Sequence, residues 1–180
     1  IHSGSVVVAQ IWPTIDFNDR SGMATSSRKI AIELWGGSIP AGDPVRNAKL
    51  LFGAENPPDC KYVSGSQDQL GLLVPGISRL WYEGGFWPSK IDNCLDPSVC
   101  NWLSSVIWLV PVGPRPAGFD PIAIKNLNKP VVKDLGEAGT LCWESIIKKD
   151  IEGFGKSLTN TFLAWRKMLR NNRNQYGSFL

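Results

Sequence analysis

DRSGMATSSRKIAIELWGG, residues 19–37, decides how the chain is read. A polar turn with Gly22 leads through Met23, Ala24, Thr25, Ser26 and Ser27. Ile30, Ile32, Leu34 and Trp35 then alternate with Lys29 and Glu33, and Gly36-Gly37 stops the segment. This pattern predicts a helix from about residue 26 to 35, capped by Thr25 or Ser26. Ahead of it GSVVVAQIW, residues 4–12, is rich in valine and reads as a strand. Strand, glycine turn, small residues and helix start is an order that presents backbone N–H groups to an anion, with the helix dipole adding favourable potential. Only small side chains let phosphate oxygens reach the backbone, and a serine hydroxyl can ligate Mg²⁺. The loop is not a Walker A loop, because no GK[ST] follows, and it is not GxGxxG. A plain turn with a capped helix fits the same residues, so the loop alone leaves both readings open.

Outward from this stretch, IPAGDPVRNAKLLFGAENPP restarts a helix. Asp43 suits the N-cap and Pro44 the first helical position. Val45, Ala48, Leu51 and Phe52 share a face, and Pro57-Pro58 ends the run. SGSQDQLGLLVPG is a turn, a polar cluster and an apolar run. SRLWYEGGFWPSKI reads as a hairpin around Glu83-Gly84-Gly85, and VIWLVPVGP, from Val106, as a buried strand closed by prolines. After residue 120 the pattern turns helical. Leu135, Ala138, Leu141, Cys142 and Ile146 carry one helix; Ile151, Phe154, Leu158, Phe162, Trp165 and Leu169 carry a second, joined near Lys149-Asp150. Strands mixed with helices, then a helical tail, predict an α+β layout.

Composition narrows the functional classes. The 180 residues are 43% hydrophobic, enough for a real core, and the formal charge of +3 is too small for a dedicated nucleic-acid surface. Anionic small molecules remain suitable partners. Cys60, Cys94, Cys100 and Cys142 form no CxxC pair, and the one histidine is His2, so a zinc site and a disulfide framework are both unexpected. No apolar run approaches the roughly 20 residues that span a bilayer, and no stretch with a basic start and an apolar centre reads as a signal peptide. The expectation is a cytoplasmic protein with reduced thiols and no membrane partner. The chain opens on Ile1 without an initiator methionine, which suggests an excerpt of something longer.

Two further polar clusters carry candidate chemistry. In SGSQDQLG, residues 64–71, Asp68 lies between two glutamines beside an apolar run. A positioned carboxylate there can accept a hydroxyl proton during phosphoryl transfer; a solvated turn with Asp68 as a cap is the simpler alternative. In AENPPD, residues 54–59, Glu55 falls at a helix end, where the dipole disfavours negative charge. A metal ligand would explain that placement, and so would an ordinary surface glutamate.

In this order the three clusters resemble the GHMP kinase superfamily, which includes galactokinase, homoserine kinase, mevalonate kinase and phosphomevalonate kinase. Gly22-Met23-Ala24-Thr25-Ser26-Ser27 stands where the family has a GLGSSA-like phosphate loop. Glu55, then Gly65-Ser66-Gln67-Asp68-Gln69, stand where its sugar-kinase branches, heptose kinases among them, have a glutamate and a G-x-Q-D-Q or M-D-Q segment. The resemblance covers most of the chain. It implies a ribosomal protein S5 domain 2-like N-terminal portion followed by the helical part of the C-terminal domain, divided at about residue 115 into 1–115 and 116–180. It also implies an ATP- and Mg²⁺-dependent sugar kinase. Gly22 to Ser27 would hold the ATP phosphates, Ser27 and Glu55 would contact Mg²⁺, and Asp68 would orient or deprotonate the attacking sugar hydroxyl. The family's first and third motifs have no counterpart in residues 1–180, and Arg28 stands where many members have alanine. A non-catalytic nucleotide-binding relative is the neighbouring expectation. An interaction module built on the eight tryptophans, Trp81, Trp87 and Trp102 among them, is the expectation from another class.

Overall fold

The computed structural model describes residues 3–10, 25–36, 38–108 and 129–169. Among them are three strands and six helices in the order β1 (Ser3–Gln10), α1 (Thr25–Trp35), α2 (Pro44–Glu55), α3 (Gln67–Leu73), β2 (Gly76–Glu83), β3 (Lys90–Cys94), α4 (Pro97–Val106), α5 (Lys129–Lys148) and α6 (Ile151–Leu169). The architecture is mixed α+β. Contacts divide the chain into two compact units, Ile1–Asn101 and Trp102–Leu180. Residues 109–115, which precede the boundary expected from the sequence, lie outside the described residues.

In the first unit the sheet is antiparallel with order β1-β2-β3. β1 pairs with β2 although three helices separate them in sequence, and Val6 lies opposite Leu80 while Val8 lies opposite Ser78. β3 follows β2 as a hairpin, placing Ile91 opposite Leu80. Leu80 and Ile91 share one face of the sheet, as strand alternation requires. Buried Leu80 joins the cluster formed by Ala31, Ala48, Leu51, Leu70 and Leu73, with Val8 and Ile91 packed against it. The helices α1, α2 and α3 thus share one apolar core with the sheet. On the alternate β2 positions, Arg79 stacks on Trp81 at 3.8 Å and the Trp81 indole donates to Asp92 at 2.6 Å.

Local chemistry fixes the helix that carries Glu55. Asp43 Oδ1 accepts from the Val45 N–H at 2.9 Å and Pro44 opens α2, so the N-terminal signal read from sequence operates as expected. At the other end, Asn56 Nδ2 donates to the Phe52 carbonyl at 2.9 Å, while Asn56 Oδ1 accepts from the Ser64 N–H at 2.7 Å. Asn56 therefore ties the end of α2 to the loop that leads into α3. Buried Ser66 does the same for the start of α3: its hydroxyl bonds the Tyr82 hydroxyl at 2.9 Å and the Phe86 carbonyl at 2.7 Å. Gly76 begins β2 at φ +81°, and a Cβ there would lie 2.4 Å from the Cys94 carbonyl oxygen, so only glycine fits the approach to β3.

The second unit contains an αα-hairpin. α5 ends with Lys149 at φ 56°, the Asp150 N–H donating to the Ser145 carbonyl at 2.8 Å and the Lys149 N–H to the Ile146 carbonyl at 3.0 Å. That is the Schellman arrangement, closed by a lysine where glycine is usual. Asp150 then caps α6, its Oδ1 accepting from the Glu152 and Gly153 N–H groups, both at 3.1 Å. Gly153 leaves room that a Cβ would take from the Ser145 Oγ and the Asp150 carboxylate.

SGSQDQLGLLVPG, which reads as a turn, a polar cluster and an apolar run, contains the seven-residue helix α3. Two expectations change. Val106 ends α4 instead of starting a strand, Ile107 and Trp108 have no regular structure, and Trp108 is 84% exposed rather than buried. The remainder of VIWLVPVGP lies outside the described residues. On α6 the apolar stripe is only partly interior. Phe154 is buried, but Leu158 and Phe162 are exposed, and Ala164 and Met168 are buried instead.

Candidate functional site

Three helix ends supply the polar cluster. Ser26 and Ser27 lie in the first turn of α1, Glu55 is the last residue of α2, and Asp68 and Gln69 lie in the first turn of α3. The Ser27 hydroxyl donates to Glu55 Oε2 at 2.6 Å and the Ser26 hydroxyl donates to Glu55 Oε1 at 2.9 Å. Gln69 Nε2 donates to the same Glu55 Oε2 at 2.5 Å and to Ser27 Oγ at 3.3 Å. Ser27 and Gln69 are fully buried. The C-terminal placement of Glu55, unfavourable against its own helix dipole, is offset by three hydroxyl and amide donors from two other helices.

Each position has a local reason. The N-terminus of α1 places adjacent hydroxyls toward the end of α2, where Asn56 holds the chain. The tether at Ser66 sets the start of α3, so that Gln69 turns inward while Asp68, one residue earlier, remains on the exposed side. The Asp68 carboxyl titrates above its ordinary value of 3.8, first through partial desolvation by its surroundings and second through the charge of Glu55. Tyr82, beneath Ser66, is also raised, by burial, with the Ser66 hydrogen bond opposing the shift.

The structure therefore brings Ser26, Ser27 and Glu55 into direct contact, with Asp68 close enough to feel the Glu55 charge. Gly22, Met23 and Ala24 lie outside the described residues; Thr25 is the first residue of α1. Gln69 and Asn56 were not singled out from sequence, because a glutamine in a polar run and an asparagine before two prolines both read as surface residues. The one available signal was adjacency: each stands next to a residue with a candidate role.

Every ligand atom that this cluster offers is oxygen, which suits a hard cation such as Mg²⁺. Among the described residues, no group of three or more His, Cys, Asp and Glu side chains could hold a metal ion. One carboxylate and a hydroxyl match the way Mg²⁺ is held when phosphate oxygens and waters complete its shell. Gln69 Oε1 is buried without a hydrogen-bond partner among the described residues, leaving acceptor capacity inside the cluster. The four cysteines are free thiols, and burial raises those of Cys100 and Cys142. Among the described residues no helix is long and apolar enough to cross a membrane. No family model, curated protein or solved structure matches the chain.

Proposed function

We propose that the chain is an ATP-dependent small-molecule kinase of the GHMP type, acting on a sugar hydroxyl. The observation that carries this reading is the convergence of Ser26, Ser27 and Glu55, distant in sequence, with Asp68 beside them. The N-terminus of α1 supplies positive dipole potential, which suits ATP phosphates. The loop Gly22–Ser27 would hold them, and Ser27 and Glu55 would hold Mg²⁺. Bound Mg²⁺ supplies charge neutralisation on the phosphates.

Asp68 has the remaining role. Phosphoryl transfer needs an acceptor hydroxyl held in line more than it needs covalent chemistry. A carboxylate made more basic by desolvation and by Glu55 accepts a hydroxyl proton more readily than a free aspartate does. Its exposure leaves it open to a substrate, while buried Gln69 on the same turn remains in the interior.

The test has two stages on the 180-residue chain. Titration calorimetry with a non-hydrolysable ATP analogue should show binding strengthened by Mg²⁺. Transfer of labelled γ-phosphate to a panel of sugars should then give a product. Binding without transfer to any member favours a non-catalytic nucleotide-binding protein, and absence of Mg²⁺-dependent binding removes the kinase reading altogether.

A further inference from the structure

We infer that Gln69 is a positioning residue that forces one-oxygen coordination by Glu55 and so makes the cluster selective for Mg²⁺ over Ca²⁺. The inference rests on the metal and nucleotide reading above. It starts from lone pairs. A carboxylate oxygen has two acceptor sites. Glu55 Oε2 accepts from the Ser27 hydroxyl at 2.6 Å and from Gln69 Nε2, so both of its sites are used. Among the described residues Glu55 Oε1 accepts only from the Ser26 hydroxyl, at 2.9 Å, and keeps one site. Ser27 Oγ gives its proton to Glu55 and accepts from Gln69 at 3.3 Å, which leaves it one lone pair.

A cation drawn to this cluster thus meets Glu55 through Oε1 and not through both oxygens. The amide orientation is fixed by the same contacts. Turning Gln69 over would set its carbonyl oxygen against the Glu55 carboxylate and leave two acceptors facing each other. Complete burial keeps water from replacing the amide as donor. The coordination preferences of the two cations differ in this respect. Mg²⁺ demands near-octahedral geometry with single oxygens, whereas Ca²⁺ takes more ligands and accepts bidentate carboxylates. A carboxylate with one oxygen already saturated by protein donors favours the former.

The experiment compares binding of a non-hydrolysable ATP analogue by the 180-residue chain without divalent cation, with Mg²⁺ and with Ca²⁺. In the parent chain Mg²⁺ should strengthen binding more than Ca²⁺ does. Gln69→Leu and Gln69→Met both remove the donor, the second with little change of length. Each should weaken Mg²⁺-dependent binding by about 10- to 100-fold, the scale of lost outer-sphere support, and bring the Mg²⁺/Ca²⁺ ratio towards one. An unchanged ratio in both variants, with Mg²⁺ dependence intact in the parent, overturns the role of Gln69 and leaves the kinase reading standing. No divalent dependence in the parent overturns both. Should neither variant fold, the side-chain amide protons of Gln69 in the parent decide the matter by NMR. They should stay protected from solvent exchange at saturating Mg²⁺ and nucleotide, and loss of protection overturns the proposal.

Discussion

Ser27 and Ser157 are both fully buried hydroxyls on helices, and they make opposite connections. Ser157, on α6, donates to the Phe154 carbonyl at 2.6 Å, three residues back on its own helix. Across the hairpin it meets the Cys142 thiol, a weak partner whose raised titration it partly opposes. Ser27 reaches Glu55, 28 residues later and on another helix, and accepts from Gln69 on a third. A buried serine needs only one partner to offset its desolvation, and its own helix can provide it. Taking that partner from elsewhere links three helices and concentrates acceptors at one place. The first unit thus contains a polar junction whose members depend on each other, while the buried Ser157 of the hairpin takes its acceptor from its own helix.

Glu55 is the member on which the junction turns, so the largest effect is expected there. Glu55→Ala removes the acceptor for Ser26, Ser27 and Gln69 at once. Ser26 is exposed and regains water, but Ser27 and Gln69 are buried and do not. Two donors left unpaired should cost about 3 kcal/mol, read as protection lost in amide hydrogen exchange across α1–α3. Mg²⁺ dependence of nucleotide binding should disappear with it. Wild-type protection in those helices would mean that the junction contributes nothing to the fold.

Asp68→Asn separates chemistry from stability at the same site. Turnover should fall by roughly 10²-fold while binding of the ATP analogue persists, the scale expected for loss of a general base. Stability should move the other way. The folded-state titration of Asp68 lies above 3.8, so in the interval between the two values the folded chain holds more proton than the unfolded one. Stability is therefore greatest below 3.8 and declines as pH rises through the raised value. Asparagine removes that decline, and the variant should be somewhat more stable than the parent at neutral pH. Undiminished turnover would remove Asp68 from the mechanism. A less stable variant at neutral pH would show that the charge supports the fold.

The parts of the molecule legible in the sequence are those whose cause is local. The Asp43-Pro44 start of α2, the periodic face of α5, and the hairpin turn between β2 and β3 each follow from neighbouring residues. α3 was not legible: it has seven residues with Gly71 inside, too few to display a helical period. Pairing of β1 with β2 is a contact across three helices, which alternation within either strand cannot specify. Within the site, adjacency in order placed Ser27, Glu55 and Asp68 on the candidate list, but Gln69 was hidden because its role depends on which way its helix faces. Val106 reads as the start of a strand because apolar β-branched residues fit a buried strand and a short amphipathic helix equally well.

The two serines themselves give the smallest effects and the sharpest comparison. Ser27→Ala takes one donor from Glu55 Oε2 and leaves one Gln69 hydrogen without its acceptor, all in a buried setting. About 1.5 kcal/mol should be lost in α1–α3. Ser157→Ala removes a hydroxyl whose acceptor lies in its own helix, so only the weak Cys142 thiol donor of α5 is left behind. Alanine is also the better helix former by a few tenths of a kcal/mol. The net change in α5–α6 should be about 0.5 kcal/mol or less, of either sign. Because the chain forms two compact units, a single melting temperature would mix them, and hydrogen exchange read separately for each helix group makes the comparison. A Ser157→Ala cost equal to or above that of Ser27→Ala would show that burial alone, and not the connection each hydroxyl makes, sets its contribution. The expected difference instead ties the sensitivity of Ser27 to the neighbours that give the junction its acceptors.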